Sequence, residues 1–249
     1  MMDIKNEIEK YKKLTEEPFP IVLFGSSNTA ANYGSRGRHN WGEWLHRVLR
    51  INTGMNFKVI NSGIGGDTTV KLLARINRDV LYYRPKAVIL TIGGNDCSTD
   101  LGIEVFGKNL NRIVDIFNEN GIITILQTYY VLDYSAFNSR VPGKDERIKR
   151  EFPLYMDVVR KISKDRNIML IDQYKYFEPL YRQNLCLYKR LMIDDMHVSY
   201  IGNFIIANNI ARALDLGEIQ IPEDVKEEFM YFLTEMDKLN ANETINSLQ

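Results

Sequence analysis

Asp194 and His197 stand three residues apart, just ahead of a stretch of helical periodicity from Tyr200 to Leu214. In a turn or a first helical coil that spacing brings the two side chains together. A carboxylate so placed can accept from one imidazole nitrogen and leave the other free as a base. A base needs something to deprotonate. Ser27 offers a hydroxyl in Phe24-Gly25-Ser26-Ser27-Asn28-Thr29, directly after an apolar run, with Gly25 free to make a tight turn. Two further segments carry polar groups suited to a developing negative charge. Asn61-Ser62-Gly63-Ile64-Gly65-Gly66-Asp67-Thr68-Thr69 is glycine-rich and leads into a helix, so its backbone N–H groups can bind an anion. Ile92-Gly93-Gly94-Asn95-Asp96 supplies the amide of Asn95 as a donor. Taken singly, each has an ordinary reading: a Gly-Ser turn, an Asx cap, a structural histidine.

Other chemistries fit less well. Gly63 and Gly65 match the first two glycines of a dinucleotide fingerprint, but Thr68 occupies the third place, and no Gly-Lys-Ser/Thr phosphate loop exists. An α/β-hydrolase nucleophile elbow counted from Gly25 would need glycine where Thr29 stands. His39 and His46 are seven apart with no acidic or cysteine partner at ligand spacing, so no metal site is expected. His39 is near enough in sequence to the Ser27 loop to line a pocket. Asp195 is the rival acid, but it lies two residues from His197, a spacing that faces away in a helix. No cofactor is implied.

Position is what unites the four segments. Apolar runs at Ile21 to Phe24, Phe57 to Ile60, Ala87 to Ile92, Ile122 to Leu126 and Ile168 to Ile171 are short, rich in Val and Ile, and lack polar alternation. They suit strands buried on both faces of a parallel sheet. Helical spacing intervenes at Trp41 to Arg50, Thr68 to Tyr82, Val105 to Phe117 and Tyr155 to Ile162. The alternation predicts an α/β fold, a three-layer α/β/α sandwich around a five-stranded parallel sheet. The Ser27, Gly66 and Asn95 segments then all follow strands and fall at one sheet edge, where α/β ligands bind. The long stretch Thr128 to Glu146 follows the fourth strand and holds Tyr129, Tyr130, Tyr134 and Phe137; it reads as a lid or substrate wall, or equally as a surface loop with half-buried rings.

Composition narrows the class. Of 249 residues 45% are hydrophobic, enough for one sizeable core, and 32 basic residues balance 32 acidic ones. No net field draws the chain to nucleic acid or to an anionic membrane. Two cysteines, no apolar leader and no span-length apolar stretch lead us to expect a cytoplasmic protein without a membrane span. Residues 3–14 and the stretch from Pro222 to Met236 are amphipathic, and Asn240 to Gln249 reads as a loose tail. We divide the chain into an N-terminal helix (1–19), a main domain (20–215) and a C-terminal helix with tail (216–249). The last is expected to dock on its own domain, or to form the face of a homodimer.

The four segments, in this order, resemble the blocks of the SGNH (GDSL-type) hydrolase superfamily over roughly Ile21 to Leu214. Ser27 looks like the block I serine, Gly66 the block II glycine, Asn95 the block III asparagine and His197 the block V histidine, with Asp194 where that family keeps its triad acid. The resemblance implies a flavodoxin-like fold and serine ester hydrolysis of a small-molecule ester through a Ser27-His197-Asp194 triad. It also implies an oxyanion hole formed by the Ser27 and Gly66 backbone N–H groups and the Asn95 amide. O-acyl transfer on the same triad and non-catalytic binding on this fold are the alternatives. Where the family usually has Gly-Asp-Ser, this chain has Gly25-Ser26-Ser27, which makes Ser26 the fallback nucleophile.

Overall fold

The computed structural model describes residues 3–13, 16–30 and 37–246. Residues 1, 2, 14 and 15 of the expected N-terminal helix and residues 247–249 of the expected tail lie outside them. Five parallel strands form one sheet: β1 (Phe19–Gly25), β2 (Phe57–Gly63), β3 (Ala87–Thr91), β4 (Ile123–Gln127) and β5 (Met169–Ile171), in the order β2-β1-β3-β4-β5. In β1 the side chains from Ile21 to Phe24 are all buried, and every residue of β3 is buried. That is why neither strand shows polar alternation: helices cover both faces.

The helices are α1 (Ile4–Lys12), α2 (Trp41–Asn52), α3 (Thr69–Asp79), α4 (Gly94–Ser98), α5 (Ile103–Glu119), α6 (Lys144–Asp165), α7 (Gln173–Gln183), α8 (Leu185–Tyr188), α9 (Tyr200–Ala213) and α10 (Lys226–Asn246). One group joins α2, α9, α10 and α7; another joins α3, α5 and α6. The α2 start is fixed by a capping box, in which the Asn40 side chain and Glu43 satisfy each other's backbone N–H groups. The chain runs from β1 outward to β2, then returns to place β3 on the other side of β1. The crevice where the strand order reverses therefore opens beyond the carboxyl ends of β1 and β3. Ser27 follows the first of these and Asn95 the second.

Four expectations need correction. Helix α6 is far longer than the Tyr155 to Ile162 stretch, because its first turns are highly charged and bury little beyond Ile148 and Phe152. Helix α7 was not foreseen; Pro179 lies inside it and obscures the spacing of its buried Tyr174, Phe177 and Leu180. The residues from Asn240 are no loose tail: α10 continues to Asn246, held as the Asn240 amide donates to the Tyr176 carbonyl at 3.0 Å and Arg182 pairs with Glu243 at 2.5 Å. The Thr128 to Glu146 segment is no lid over its first part, since Tyr129 to Leu132 are at most 2% exposed. The apolar faces of the peripheral helices join the same core: Ile4, Ile8 and Tyr11 from α1, and Phe229, Phe232, Leu233 and Met236 from α10.

Gly25 shows how tightly the end of β1 is packed. A Cβ there would sit 2.3 Å from Thr29 Oγ1 and 2.4 Å from the Thr91 carbonyl oxygen of β3. The β3 backbone cannot yield without breaking sheet register, so Gly25→Ala is expected to destabilise the fold by about 1–3 kcal/mol. The shift in denaturant midpoint at unchanged slope measures it.

Candidate active site

The turn after β1 presents Ser27. The N–H groups of Thr29 and Ala30 both donate to the Ser26 carbonyl at 3.0 Å, which curls the chain sharply. The two serines then diverge. Ser26 is buried, and its hydroxyl lies 2.6 Å from the Tyr129 hydroxyl. Ser27 is only half-buried, and its Oγ lies 2.9 Å from His197 Nε2. Ser26→Ala is therefore expected to leave ester turnover within about tenfold of native while lowering stability by about 1–3 kcal/mol, because the buried Tyr129 hydroxyl loses its bond to Ser26. Parallel kinetics and denaturation of that variant check both parts.

His197 sits on a narrow turn. Met192 and Val198 form an antiparallel bridge, and the Ile193 N–H donates to the His197 carbonyl at 2.9 Å. Ser199 then caps α9, accepting from the Gly202 N–H. At the turn's tip Asp194 Oδ1 accepts the N–H groups of Met196 (2.8 Å) and His197 (2.6 Å), while Oδ2 lies 2.8 Å from His197 Nδ1. Burial pushes the Asp194 carboxyl up, but these backbone donors and the imidazole outweigh it and hold it below the usual aspartate value. The rival, Asp195, goes the other way: burial and the neighbouring Asp194 raise it, and its backbone carbonyl accepts the Asp133 N–H.

Two residues bind the serine turn to the histidine turn, and neither role was read from the sequence. Asn28 is buried; its amide donates to the Met196 carbonyl at 3.3 Å, and its own carbonyl accepts from the Trp41 indole at 2.7 Å. The Tyr130 hydroxyl lies 2.6 Å from Asn28 Oδ1 and 2.7 Å from the Met196 carbonyl, with one proton to serve them. Burial raises the Tyr130 phenol, so it stays neutral. Tyr129 and Tyr130, which the sequence left between a substrate wall and a surface loop, are thus the floor beneath the Ser27 turn. Tyr134 and Phe137 are half-buried and meet edge-on at 5.3 Å, with Tyr134 also against Tyr181. His39 packs edge-on against Trp44 at 4.9 Å and lies 4.0 Å from Glu43; among the described contacts it touches none of Ser27, Asp194 and His197.

The glycine-rich loop after β2 runs beside Ser27. A Cβ on Gly65 would be 3.9 Å from Ser27 Cβ. The Asp67 N–H donates to the Ile64 carbonyl at 3.3 Å, closing a four-residue turn whose third residue, Gly66, has φ +77°. That backbone region favours glycine. Asn95 Nδ2 donates to the Asp67 carbonyl at 2.9 Å and keeps a second N–H to give. The Asp67 and Asp96 side chains reach beyond their own loops. Asp67 takes the Arg75 Nε–H at 2.6 Å, and buried Asp96 accepts both the N–H and the hydroxyl of Thr69. Cys97 is buried, and burial pushes its thiol up to about 12, which disqualifies it as a nucleophile. Among the described residues no cluster of three or more His, Cys, Asp or Glu side chains is placed to hold a metal ion.

This arrangement has relatives. The sequence pattern of the GDSL-like Lipase/Acylhydrolase family matches residues 23–203, from β1 into α9. The chain belongs to the GDSL-like lipase/acylhydrolase family. It is accordingly a hydrolase of ester bonds. It is 26% identical to the uncharacterized lipoprotein YqeF of Bacillus subtilis, over 63% of this chain and 71% of that one. It is 23% identical to an arylesterase of Vibrio mimicus, over 70% and 77% of the two chains. The crystal structure of the acetyl xylan esterase AlAXEase superposes with a TM-score of 0.65 at 25% identity, covering 78% of this chain and 99% of that one. No described helix is long and apolar enough to cross a membrane.

Proposed function

We propose that this acylhydrolase cleaves a small acyl ester, an acetyl group on a carbohydrate or a short-chain ester, with Ser27 as nucleophile, His197 as general base and Asp194 as the triad acid. The observation that carries the reading is the unbroken chain from Ser27 Oγ to His197 Nε2 at 2.9 Å and from His197 Nδ1 to Asp194 Oδ2 at 2.8 Å. His197 Nε2 takes the Ser27 proton as Oγ attacks the ester carbonyl. Asp194 keeps the Nδ1 proton in place and stabilises the imidazolium, which then protonates the leaving alcohol. The oxyanion is met by the backbone N–H groups of Ser27 and Gly66 and by the free N–H of Asn95. Such donors contribute about 3–4 kcal/mol each when aimed at the developing charge. Water, activated by the same imidazole, releases the acid from the acyl-enzyme.

The acetyl ester reading is supported by the acetyl xylan esterase among the structural neighbours. Two free cysteines, Cys97 and Cys186, accord with a reducing compartment such as the cytoplasm. The experiment is hydrolysis of p-nitrophenyl acetate, p-nitrophenyl butyrate and acetylated xylo-oligosaccharide by the purified protein, with acetate release quantified. Turnover of acetyl esters with free acid as the product is expected. A folded protein that releases acid from none of them would sink the proposal, and acyl groups recovered on an added sugar would redirect it to transfer.

A further inference from the structure

Arg75 lies in the middle of α3 and is only 8% exposed, a place where an arginine is rare unless fully engaged. Its guanidinium is engaged on every side. Nε donates to Asp67 Oδ2 at 2.6 Å. One terminal nitrogen donates to the Ser62 carbonyl and to Asp79 Oδ2, both at 2.8 Å. The other donates to the Gly25 carbonyl at 3.0 Å, and the planar group lies over the Phe24 ring at 4.6 Å. Its partners are not scattered. Gly25 ends β1 two residues before Ser27, Ser62 lies at the end of β2, and Asp67 directly follows Gly66.

Asp67 is the node that matters. Its carboxylate is held by Arg75 while its carbonyl accepts the Asn95 amide at 2.9 Å, which aims the remaining Asn95 N–H. The Gly25 carbonyl also accepts the Ile64 N–H at 3.1 Å, so the glycine-rich loop and the serine turn meet at the same point that Arg75 grips. Donors for a developing oxyanion work only if they are fixed before the charge appears. We propose that Arg75 is a positioning residue for ester hydrolysis: through Asp67 and Gly25 it sets the Gly66 N–H and the Asn95 amide at their working distance from Ser27. It touches neither substrate nor reacting atoms.

This inference rests on the hydrolase reading above, and the test separates the two. A lysine keeps the charge and the apolar stem, but its three N–H donors radiate from a single nitrogen and cannot span the Asp67, Ser62, Asp79 and Gly25 acceptors as the flat guanidinium fork does. Arg75→Lys is therefore expected to lower kcat for p-nitrophenyl acetate about 10- to 100-fold with KM nearly unchanged, the signature of an interaction lost only in the transition state. The loss should be strongly less than additive with that of Asn95→Ala, since both act through one set of donors. Asp67→Asn, nearly isosteric, should give the same kcat-only loss and serves if the lysine variant does not fold. A folded Arg75→Lys or Asp67→Asn enzyme with native kcat, or losses that simply add to that of Asn95→Ala, would overturn the positioning role while native turnover leaves the hydrolase reading standing. A native protein without ester turnover would overturn both.

Discussion

Ser27→Ala is expected to lower kcat for ester hydrolysis by about 10⁴- to 10⁶-fold, the loss seen when a triad nucleophile is removed and only substrate binding and oxyanion donors remain. The fold should be untouched. Ser27 is half-buried, and its hydroxyl bonds to an imidazole whose side chain is 28% exposed, so water can replace the lost contact. No buried group is orphaned, unlike the case of Ser26, whose hydroxyl partners the buried Tyr129. Equal denaturation midpoints with this loss of kcat are the expected pair of results. Turnover surviving in Ser27→Ala but not in Ser26→Ala would exchange the roles of the two serines.

Asp194→Asn is expected to cost about 10³- to 10⁴-fold in kcat through the tautomer rather than through geometry. The asparagine carbonyl can still accept the N–H groups of Met196 and His197, so the turn keeps its shape. Its amide nitrogen, however, then faces His197 Nδ1 and donates to it. The imidazole proton is driven to Nε2, which points at Ser27 Oγ and can no longer accept. Asp195→Asn should leave kcat close to native, because its backbone carbonyl rather than its carboxylate serves the structure. There is a stability consequence as well. The Asp194 carboxyl is held below its ordinary value when folded, so its contribution is present at neutral pH and is lost as the pH falls through the folded value. The stability gap between native and Asp194→Asn should therefore close in acid, a trend that denaturation at several pH values measures.

Much of the candidate site was legible because of how parallel sheets are built. Strands β1 and β3 are buried on both faces, so their runs of Ile, Val and Leu stand out, and the loops after them are where chemistry collects. Asp194 and His197 were legible because three residues of spacing needs only one turn. What escaped has a common cause. Asn28 bonds to Met196, 168 residues away, and Arg75 to Gly25, 50 residues away. Nothing local marks such a polar side chain as buried. Tyr129 and Tyr130 stayed open for the complementary reason: aromatic rings in a loop after a strand could face ligand or core, and only packing decides. Their hydroxyls satisfy Ser26 and Asn28 from below. Helix α7 and the charged start of α6 were missed where Pro179 and a dense charge run hid the apolar spacing.

The identity of the nucleophile is the central claim, and a covalent probe tests it most directly. Native protein treated with a fluorophosphonate, which phosphonylates activated serines, would be weighed intact and then mapped by peptide mass spectrometry beside Ser27→Ala and His197→Ala. One adduct on Ser27, absent from Ser27→Ala and greatly slowed in His197→Ala, is the predicted result. An adduct on Ser26, or native ester turnover that persists after complete labelling elsewhere, would contradict the account.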